Sequence, residues 1–427
     1  MTGASLPPAD AGRIQQHIDE FASLTEPGAG AGVTRLAYTP LERAAHRRFA
    51  EYLESLGLEC HVDAAGNTIG RLAGTDPSLP ALGTGSHLDS VPNGGRFDGI
   101  AGVVAALEVA RILVESGTRT RHPINFVAFA TEEGARVGLA CVGSRIVSGL
   151  TVRDDLFELK DRDGISVGKA MRDVGLDPDR AHEARWTSAD VAAFLELHIE
   201  QGAVLASAGI PIGIVNVISG STRIAIDLTG TASHTGGTPM HLRADALAAA
   251  AAMVLTAESL ANDSRHHGTR MTVGELEVSP GSITTIPGHC RLYVDVRDVD
   301  TDRQRNATNE LIAAAYATAE ARGVGIAVEL LGDTSPVTLP LSVQSALVGA
   351  AENLGLDYRV LASGASHDTQ MINRICPGGM IFVPSRNDGV SHAPEELTHA
   401  VDIMRGVDLL AHSLLALDEA SQEGSLR

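Results

Sequence analysis

Hydrophobic positions in the first part of the chain alternate between the spacing of helices and that of strands. Apolar side chains that return every three or four positions predict helices, and short apolar runs between turn residues predict strands. The expected elements are two helices, a hairpin, a strand, a helix and a strand, at residues 11–25, 41–57, 58–74, 81–87, 99–117 and 123–130. This order favours βαβ units and a mostly parallel sheet flanked by helices, an α/β fold.

A second pattern starts near residue 212 and has the order β-α-β-β-α-β, which is typical of a ferredoxin-like domain. Its elements are strands within 210–220 and 221–230, a helix over 239–260, strands over 269–279 and 289–299, a helix over 301–323 and a strand over 324–332. We expect Pro239 near the start of the first helix, and Thr301 or Asp302 at the start of the second.

The last part of the chain returns to the first pattern, with a helix over 340–355, a strand over 380–385 and a helix over 395–417. The sequence therefore predicts a first domain in two parts, 1–211 and 333–427, interrupted by an inserted domain over 212–332. A chain of 427 residues is long enough for two cores.

Composition narrows the class of protein. The net charge of −20 argues against nucleic acid as a partner, because phosphate binding needs clustered Lys and Arg. Four widely spaced cysteines without a CxxC pair favour a reducing cytoplasm. The N-terminal segment MTGASLPPADAGR has no basic and apolar run, so we expect no signal peptide. The most apolar helix, 246–261, is interrupted by Glu258, so we expect no membrane span.

Candidate chemistry is concentrated in two segments that follow predicted strands. The segment GSHLDSVPNGGRFDG holds His87, Asp89 and Asp98 among turn residues that let these side chains converge. The segment TEEGAR holds Glu132 and Glu133 directly after a hydrophobic run. Two adjacent carboxylates at the end of a buried strand are costly unless a cation or a proton neutralises them. These features predict a hydrolytic metal centre with a general base.

Two further histidines complete a set of candidate ligands, one in ELHIEQG and one in GVSHAPEE. The candidate metal ligands are His87, Asp98, Glu133, His198 and His392. Imidazole with carboxylate suits zinc, manganese or cobalt. Five ligands are one too many for a single tetrahedral site, but one bridging carboxylate would distribute them over two metals about 3.5–4 Å apart.

Other chemistries fit less well. Ser366, His367 and Asp368 are adjacent in sequence and cannot align as nucleophile, base and orienting acid. The run GAGAG at 28–32 follows a helix and opens no βα turn, so it is not a dinucleotide loop. We interpret Cys141, close to the glutamate pair, as a buried structural thiol.

Several of these segments together resemble the hydantoinase/carbamoylase branch of the dinuclear-metal amidases. They are GSHLDSVPNGGRFDG, TEEGAR, ELHIEQG, SHTGGTPMHLRADAL and SHAPEE. The resemblance extends from GVTRLAY to SHAPEE. The branch is similar in fold to aminoacylases and di-zinc carboxypeptidases, and its peptidase relatives typically carry an acidic ligand where this chain has His198. It contains N-carbamoyl-L-amino acid hydrolases, allantoate amidohydrolases and bacterial-type β-ureidopropionases.

The resemblance implies two divalent metal ions per subunit, with zinc as the first choice and manganese, cobalt or nickel as alternatives. Asp98 would bridge the two ions. His87 and His198 would complete one site, and Glu133 and His392 would complete the other.

The resemblance also implies the roles of three neighbours. Asp89 would hold the His87 ring in its ligating tautomer. Glu132 would be the general base, taking a proton from the attacking water and passing it to the leaving nitrogen. His234 would come from the inserted domain of a partner subunit in a homodimer and stabilise the oxyanion.

The implied substrate is a small molecule that pairs a ureido or amide carbonyl with a carboxylate. Arg297 matches the carboxylate-binding Arg of the family, and Arg223 and Gln201 match polar pocket positions. If the resemblance is set aside, the alternative for Arg297 is a surface ion pair with Asp295 or Asp298. Thr284 stands where relatives commonly carry Asn, and it loses the donor-plus-acceptor pair of the amide.

The expected function is hydrolysis of the linear C–N bond of N-carbamoyl-L-amino acids. Allantoate amidohydrolase is the first alternative. A β-ureidopropionase, or an N-acyl amino acid amidase or dipeptidase, follows. An inactive relative that acts as a metal-binding or regulatory protein is the alternative of another class.

Overall fold

The computed structural model of the chain describes residues 6–28 and 30–420. The first five residues of the segment considered for a signal peptide, and Ala29 of the GAGAG run, lie outside the described residues. The chain divides into two compact units. Val217–Val337 forms one of them, and the chain before and after it forms the other. The sequence predicts the corresponding inserted domain at 212–332.

Twelve α-helices are present in the described part of the chain. They are α1 Ala11–Ser23, α2 Pro40–Ser55, α3 Ile100–Glu115, α4 Val142–Val147, α5 Asp155–Glu158, α6 Val167–Asp173, α7 Val204–Ala208, α8 Ala246–Ala261, α9 Thr301–Arg322, α10 Leu341–Asn353, α11 Asp368–Ile372 and α12 Ala400–Ala420. Short 3₁₀ helices occupy Pro178–Ala184, Met240–Leu242, Ser264–His266 and Asn387–Gly389.

Fifteen strands are present in the same residues. They are β1 Glu59–Val62, β2 Thr68–Leu72, β3 Ala81–His87, β4 Ile124–Phe129, β5 Val191–Ile199, β6 Ile212–Ile218, β7 Gly220–Thr229, β8 Ser233–His234, β9 Arg270–Ser279, β10 Thr285–Ile286, β11 His289–Asp298, β12 Gly325–Thr334, β13 Val337–Thr338, β14 Tyr358–Ser363 and β15 Gly378–Val383.

The larger unit is built on a sheet with the order β1-β2-β4-β3-β5-β15-β6-β13, with β14 also paired to β6. Its centre is parallel: β3 pairs in parallel with β4 and β5, and β5 with β15. The hairpin β1–β2 and strand β6 add antiparallel edges. The predicted mostly parallel sheet flanked by helices is confirmed.

Both faces of the central strands are buried, which explains their continuous apolar sequence. In β4, Phe126 packs in the main hydrophobic core with α1, α2, α3, α10 and α12. Val127 and Phe129 face the opposite side and pack near α4 and α11. Helix α3 is buried along most of its length and ends before Gly117, whose φ of 66° is left-handed. This layered packing fixes the ends of the parallel strands.

The sequence pattern predicts strand β6 as part of the inserted domain, and this prediction is wrong. It pairs antiparallel with β15, with Ile381 opposite Ile214 and Phe382 opposite Gly213. An apolar run shows that a strand is buried but not which sheet takes it. Pairing to the central sheet therefore places most of β6, up to Asn216, in the larger unit.

The smaller unit has the predicted β-α-β-β-α-β order, formed by β7, α8, β9, β11, α9 and β12. Its sheet is antiparallel with the order β12-β7-β11-β9, and α8 and α9 pack in its hydrophobic core. This is the strand arrangement of a ferredoxin-like fold. The short strands β8 and β10 pair separately, with His234 opposite Thr285.

Two predicted helix starts are wrong. Helix α8 begins at Ala246, after a 3₁₀ turn, because Asp245 caps the amide of Ala248. Helix α12 begins at Ala400. Helix α9 begins at Thr301, as predicted, and Asp300 caps it.

Among residues 6–28 and 30–420, none of the helices combines the length and the apolar sequence that a membrane-spanning helix requires.

Candidate metal centre

The carboxyl ends of four neighbouring strands, in the order β4-β3-β5-β15, lie at the same edge of the central sheet. His87 is the last residue of β3, and Glu132 and Glu133 follow β4. His198 is near the end of β5, and His392 lies in the loop after β15. Parallel pairing brings these side chains together, although they are far apart in the sequence.

Asp98 lies at the centre of this group and presents its two oxygens to different partners. Its Oδ1 lies 3.5 Å from His87 Nε2 and 3.1 Å from His198 Nε2. Its Oδ2 lies 3.2 Å from His392 Nε2, which in turn lies 3.3 Å from Glu133 Oε2. The five candidate ligands thus form two groups of three that share Asp98.

Asp89 ties the segment that carries His87 to the segment that carries the glutamate pair. Its Oδ1 accepts a hydrogen bond from the Glu132 amide at 2.8 Å, and its Oδ2 accepts one from the Glu133 amide at 3.2 Å. His87 Nδ1 lies 3.1 Å from the Asp89 carbonyl oxygen and 3.4 Å from Oδ1. A donor bond from Nδ1 leaves Nε2 free to ligate.

Glu132 is buried beside the ligands. Its Oε2 lies 3.9 Å from His87 Nε2, and its Oε1 accepts a hydrogen bond from the Cys141 thiol at 3.1 Å. Burial raises the pKa of Cys141 well above its usual value, and the charge of Glu132 adds to the effect. Cys141 is therefore a protonated donor that orients one oxygen of Glu132.

The charges of the group favour a cation. Burial, and next the charge of Asp98, raise the pKa of Glu133 well above its usual value. Burial opposes a similar rise at His87, but hydrogen bonds to Asp89 and Asp98 raise its pKa. A hydrogen bond to Asp98 raises the pKa of His392 to about 9. Positive charge is needed to stabilise so many buried carboxylates.

Glu133 gives the sharpest test of whether the residues fit a divalent metal. Its Oε1 is buried and has no hydrogen-bond partner among the described residues. A buried carboxylate oxygen left without a partner is costly. Imidazole nitrogens and carboxylate oxygens are also the donor set that zinc and related ions take in proteins. The residues therefore fit divalent metal ions.

Glu196, His198 and His367 form a third group with potential ligand atoms close together. Sequence reasoning missed Glu196, although it lies in the same ELHIEQG motif as His198. Its oxygens are already engaged, because Oε1 accepts from Ser86 Oγ, and Oε2 accepts from the amide and hydroxyl of Thr369. We therefore interpret Glu196 as part of a hydrogen-bonded network next to His198 and not as a metal ligand.

Gln201 is the predicted pocket residue that lies in the same unit as the ligands. Its Nε2 donates to Asp98 Oδ2 at 2.7 Å and lies 3.4 Å from His392 Nε2. Its backbone is left-handed, with φ of 54°. Such strain in a non-glycine residue is typical of functional sites.

The remaining predicted residues lie in the smaller unit. His234 is exposed, and its Nδ1 accepts hydrogen bonds from the amides of Gly236 and Gly237, each at 3.0 Å. The neutral ring therefore carries its proton on Nε2. Thr284 is in the neighbouring loop, where its carbonyl oxygen accepts from the Thr235 amide at 3.2 Å.

Arg223 and Arg297 both lie close to Asp295. The Arg297 guanidinium contacts Asp295 Oδ2 at 2.9 and 3.0 Å, and Arg223 Nε lies 3.7 Å from the same oxygen. An ion pair between Arg297 and Asp295, the alternative to a substrate-binding role for Arg297, is present. Asp295 thus holds two cationic side chains next to each other.

Comparisons with protein families, with individual proteins and with solved structures all identify the same family. The model of Peptidase family M20/M25/M40 matches residues 83–416. An N-carbamoyl-L-amino-acid amidohydrolase of Paenarthrobacter aurescens is 41% identical over 97% of this chain and 100% of its own. The allantoate amidohydrolase of Escherichia coli K12 is 35% identical over 95% and 97%. The crystal structure of a hydantoinase/carbamoylase family amidase from Burkholderia vietnamiensis is 33% identical over 96% and 97%, with a TM-score of 0.89.

Proposed function

The chain belongs to Peptidase family M20/M25/M40, and on that premise we propose that it hydrolyses N-carbamoyl-L-amino acids. The overall reaction consumes one water and gives the amino acid, ammonia and carbon dioxide. The proposal rests on the arrangement around Asp98. Its two oxygens face two separate groups of ligands, and the carboxylate of Glu132 lies beside His87 of the first group. The 41% identity to a relative named for this substrate supports the choice.

We assign two divalent metal ions to each subunit, zinc first, with manganese, cobalt or nickel as alternatives. His87, Asp98 and His198 would hold one ion, and Asp98, Glu133 and His392 the other. Bound there, the ions would polarise the substrate carbonyl and increase the acidity of the attacking water.

Glu132 is the general base in this proposal. It takes a proton from the attacking water and passes it to the leaving nitrogen. Two contacts support the role: the Asp89 carboxylate fixes the Glu132 amide, and the Cys141 thiol binds Oε1. These contacts orient the carboxylate without neutralising it.

His234 stabilises the oxyanion of the tetrahedral intermediate from the partner subunit of a homodimer. The two glycine amides that bind Nδ1 leave an Nε2 proton for donation to a developing negative charge. The exposure of the ring agrees with a role outside its own unit. The inserted unit would form the dimer contact.

The substrate carboxylate would bind the guanidinium group of Arg297, with Arg223 next to it. Asp295 supports this by holding both side chains together. Gln201 would contact the ureido group, and Thr284 would line the pocket with one hydroxyl. We place the enzyme in the cytoplasm, since Cys60, Cys141, Cys290 and Cys376 are all free.

Allantoate is the second candidate substrate. The 35% identical relative named for it supports this alternative, and Thr284 in place of the usual Asn leaves the pocket chemistry open. β-Ureidopropionate and N-acyl amino acids complete the set of candidate substrates.

The candidate substrates are ranked by measuring the products. Ammonia release should be measured with N-carbamoyl-L-amino acids, allantoate and β-ureidopropionate, and amino acid release with N-acyl amino acids. Activity on allantoate alone would overturn our first choice. Metal binding with no turnover on any substrate would indicate an inactive regulatory relative.

A further inference from the structure

A buried carboxylate outside the predicted ligand set contacts the segment that carries Asp98. Glu396 follows His392 in the loop after β15, and it is 3% exposed. Its Oε1 accepts hydrogen bonds from the Phe97 amide at 2.8 Å and from the Asp98 amide at 3.0 Å. Charge-assisted bonds from two successive amides hold a short stretch of backbone in one position.

The second oxygen of Glu396 reaches the loop that carries His392. Oε2 accepts a hydrogen bond from Ser391 Oγ at 2.7 Å, and the same hydroxyl lies 3.4 Å from Asp98 Oδ2. One side chain therefore connects two segments that supply ligands to the same group, although they are almost 300 positions apart in sequence.

Gly95 shows how closely the two segments approach. A Cβ atom at this position would collide with the Glu396 carboxylate. Glycine is therefore required by the close approach of a side chain.

The cost of burying Glu396 argues for a specific role. No Arg, Lys or His side chain pairs with its carboxylate among the residues that the structure describes, and Asp98 is a nearby like charge. A buried carboxylate without a cationic partner is expensive to keep. Glu396 contacts the amide of Asp98 and the hydroxyl of Ser391, the residue before His392, so this cost is spent next to two candidate ligands.

We propose that Glu396 is a positioning residue for the metal pair: it fixes the backbone of Asp98 against the loop of His392, so that the shared ligand is preorganised. This inference rests on the proposed metal-dependent function. Residues that orient metal ligands typically change metal affinity about 10–100-fold when they are replaced.

Two variants separate hydrogen bonding from charge. Glu396→Ala removes all three contacts, and we expect about a 10–100-fold loss of Zn²⁺ affinity. Glu396→Gln keeps an oxygen for both amides and places an N–H opposite Ser391 Oγ, so its affinity should stay within about threefold of wild type. Zn²⁺ affinity is measured by competition with a chromophoric chelator on the full chain.

Asp418 provides a matched control. Its carboxylate accepts hydrogen bonds from the amides of Arg121 at 2.9 Å and His122 at 2.8 Å, and it is also buried. These amides precede β4, at the opposite end of that strand from the candidate ligands. We expect Asp418→Ala to lower the melting temperature of the metal-free protein without changing Zn²⁺ affinity.

Four outcomes would overturn the inference. Unchanged affinity in Glu396→Ala would exclude a positioning role while leaving the proposed function intact, provided that wild type binds two ions. A Glu396→Gln variant as weak as Glu396→Ala would show that charge and not hydrogen bonding matters. An equal loss in Asp418→Ala would show only general destabilisation. If wild type binds no Zn²⁺, the proposed function fails, and this inference fails with it.

Discussion

Replacing each member of the glutamate pair should separate catalysis from metal binding. Glu132→Gln keeps the shape of the side chain and an oxygen that can accept from the Cys141 thiol. It removes the ability to take a proton. Because Glu132 is not in either ligand group, we expect the variant to bind two metal ions.

The expected loss of rate follows from the role of the base. General acid–base assistance contributes about 10²–10⁴-fold, so kcat should fall by at least that range, which corresponds to roughly 3–5 kcal/mol in the activation barrier. Glu133→Gln should behave differently. Its Oε2 lies 3.3 Å from His392 Nε2 in the second ligand group, so we expect this variant to lose about one metal ion per subunit.

The assay combines metal content by mass spectrometry, on protein prepared without chelator, with ammonia release. Glu108→Gln is the control, because Glu108 is equally buried but binds Arg13 and the Asp10 amide, away from the ligands. It should keep both ions and its kcat. If Glu132→Gln loses a metal ion and Glu133→Gln keeps both, our assignment of base and ligand is reversed.

Three other predictions test separate parts of the account. Mixing inactive His234→Ala and Glu132→Gln subunits should restore part of the activity, since a mixed dimer would have one intact site; no recovery in verified mixed dimers would exclude a shared site. Arg297→Ala should raise KM about 10–100-fold, the worth of a charge-assisted hydrogen bond, and change kcat less; an unchanged KM would exclude carboxylate binding there. Burial alone would raise the pKa of Glu42, but the charges of Arg43 and His46 and the hydrogen bonds to both lower it to about 2, so wild-type stability should fall as the pH decreases from about 4.5 to 2. Urea unfolding near pH 7 should show Glu42→Ala destabilised by about 3–5 kcal/mol, and a loss below about 1 kcal/mol would contradict the buried pair.

The convergence of the candidate ligands could be predicted because it depends on strand ends. His87, Glu133 and His198 each lie at or beyond the carboxyl end of an apolar run, and parallel strands bring such ends to one edge. Apolar runs predicted β3 and β4, and the turn residues before Asp98 indicated that the segment folds back. The strand that carries His198, β5, was not among the predicted elements.

Contacts between loops could not be predicted in the same way. Glu396 and Asp89 act on backbone amides of distant segments, and no local spacing indicates which amides a carboxylate will meet. Glu196 lies in a recognised motif, but its partners come from two other segments. Strand β6 shows the same limit at the level of the fold, because pairing with β15 is decided by tertiary packing.

The central claim is that two metal ions, shared through Asp98, support hydrolysis of a ureido bond. The most direct test is to strip the protein of metal and add back Zn²⁺ or Mn²⁺ in steps while ammonia release from an N-carbamoyl-L-amino acid is measured. We predict no activity in the stripped protein and a plateau at two ions per subunit. Activity without metal, or a plateau at one ion, would contradict the account.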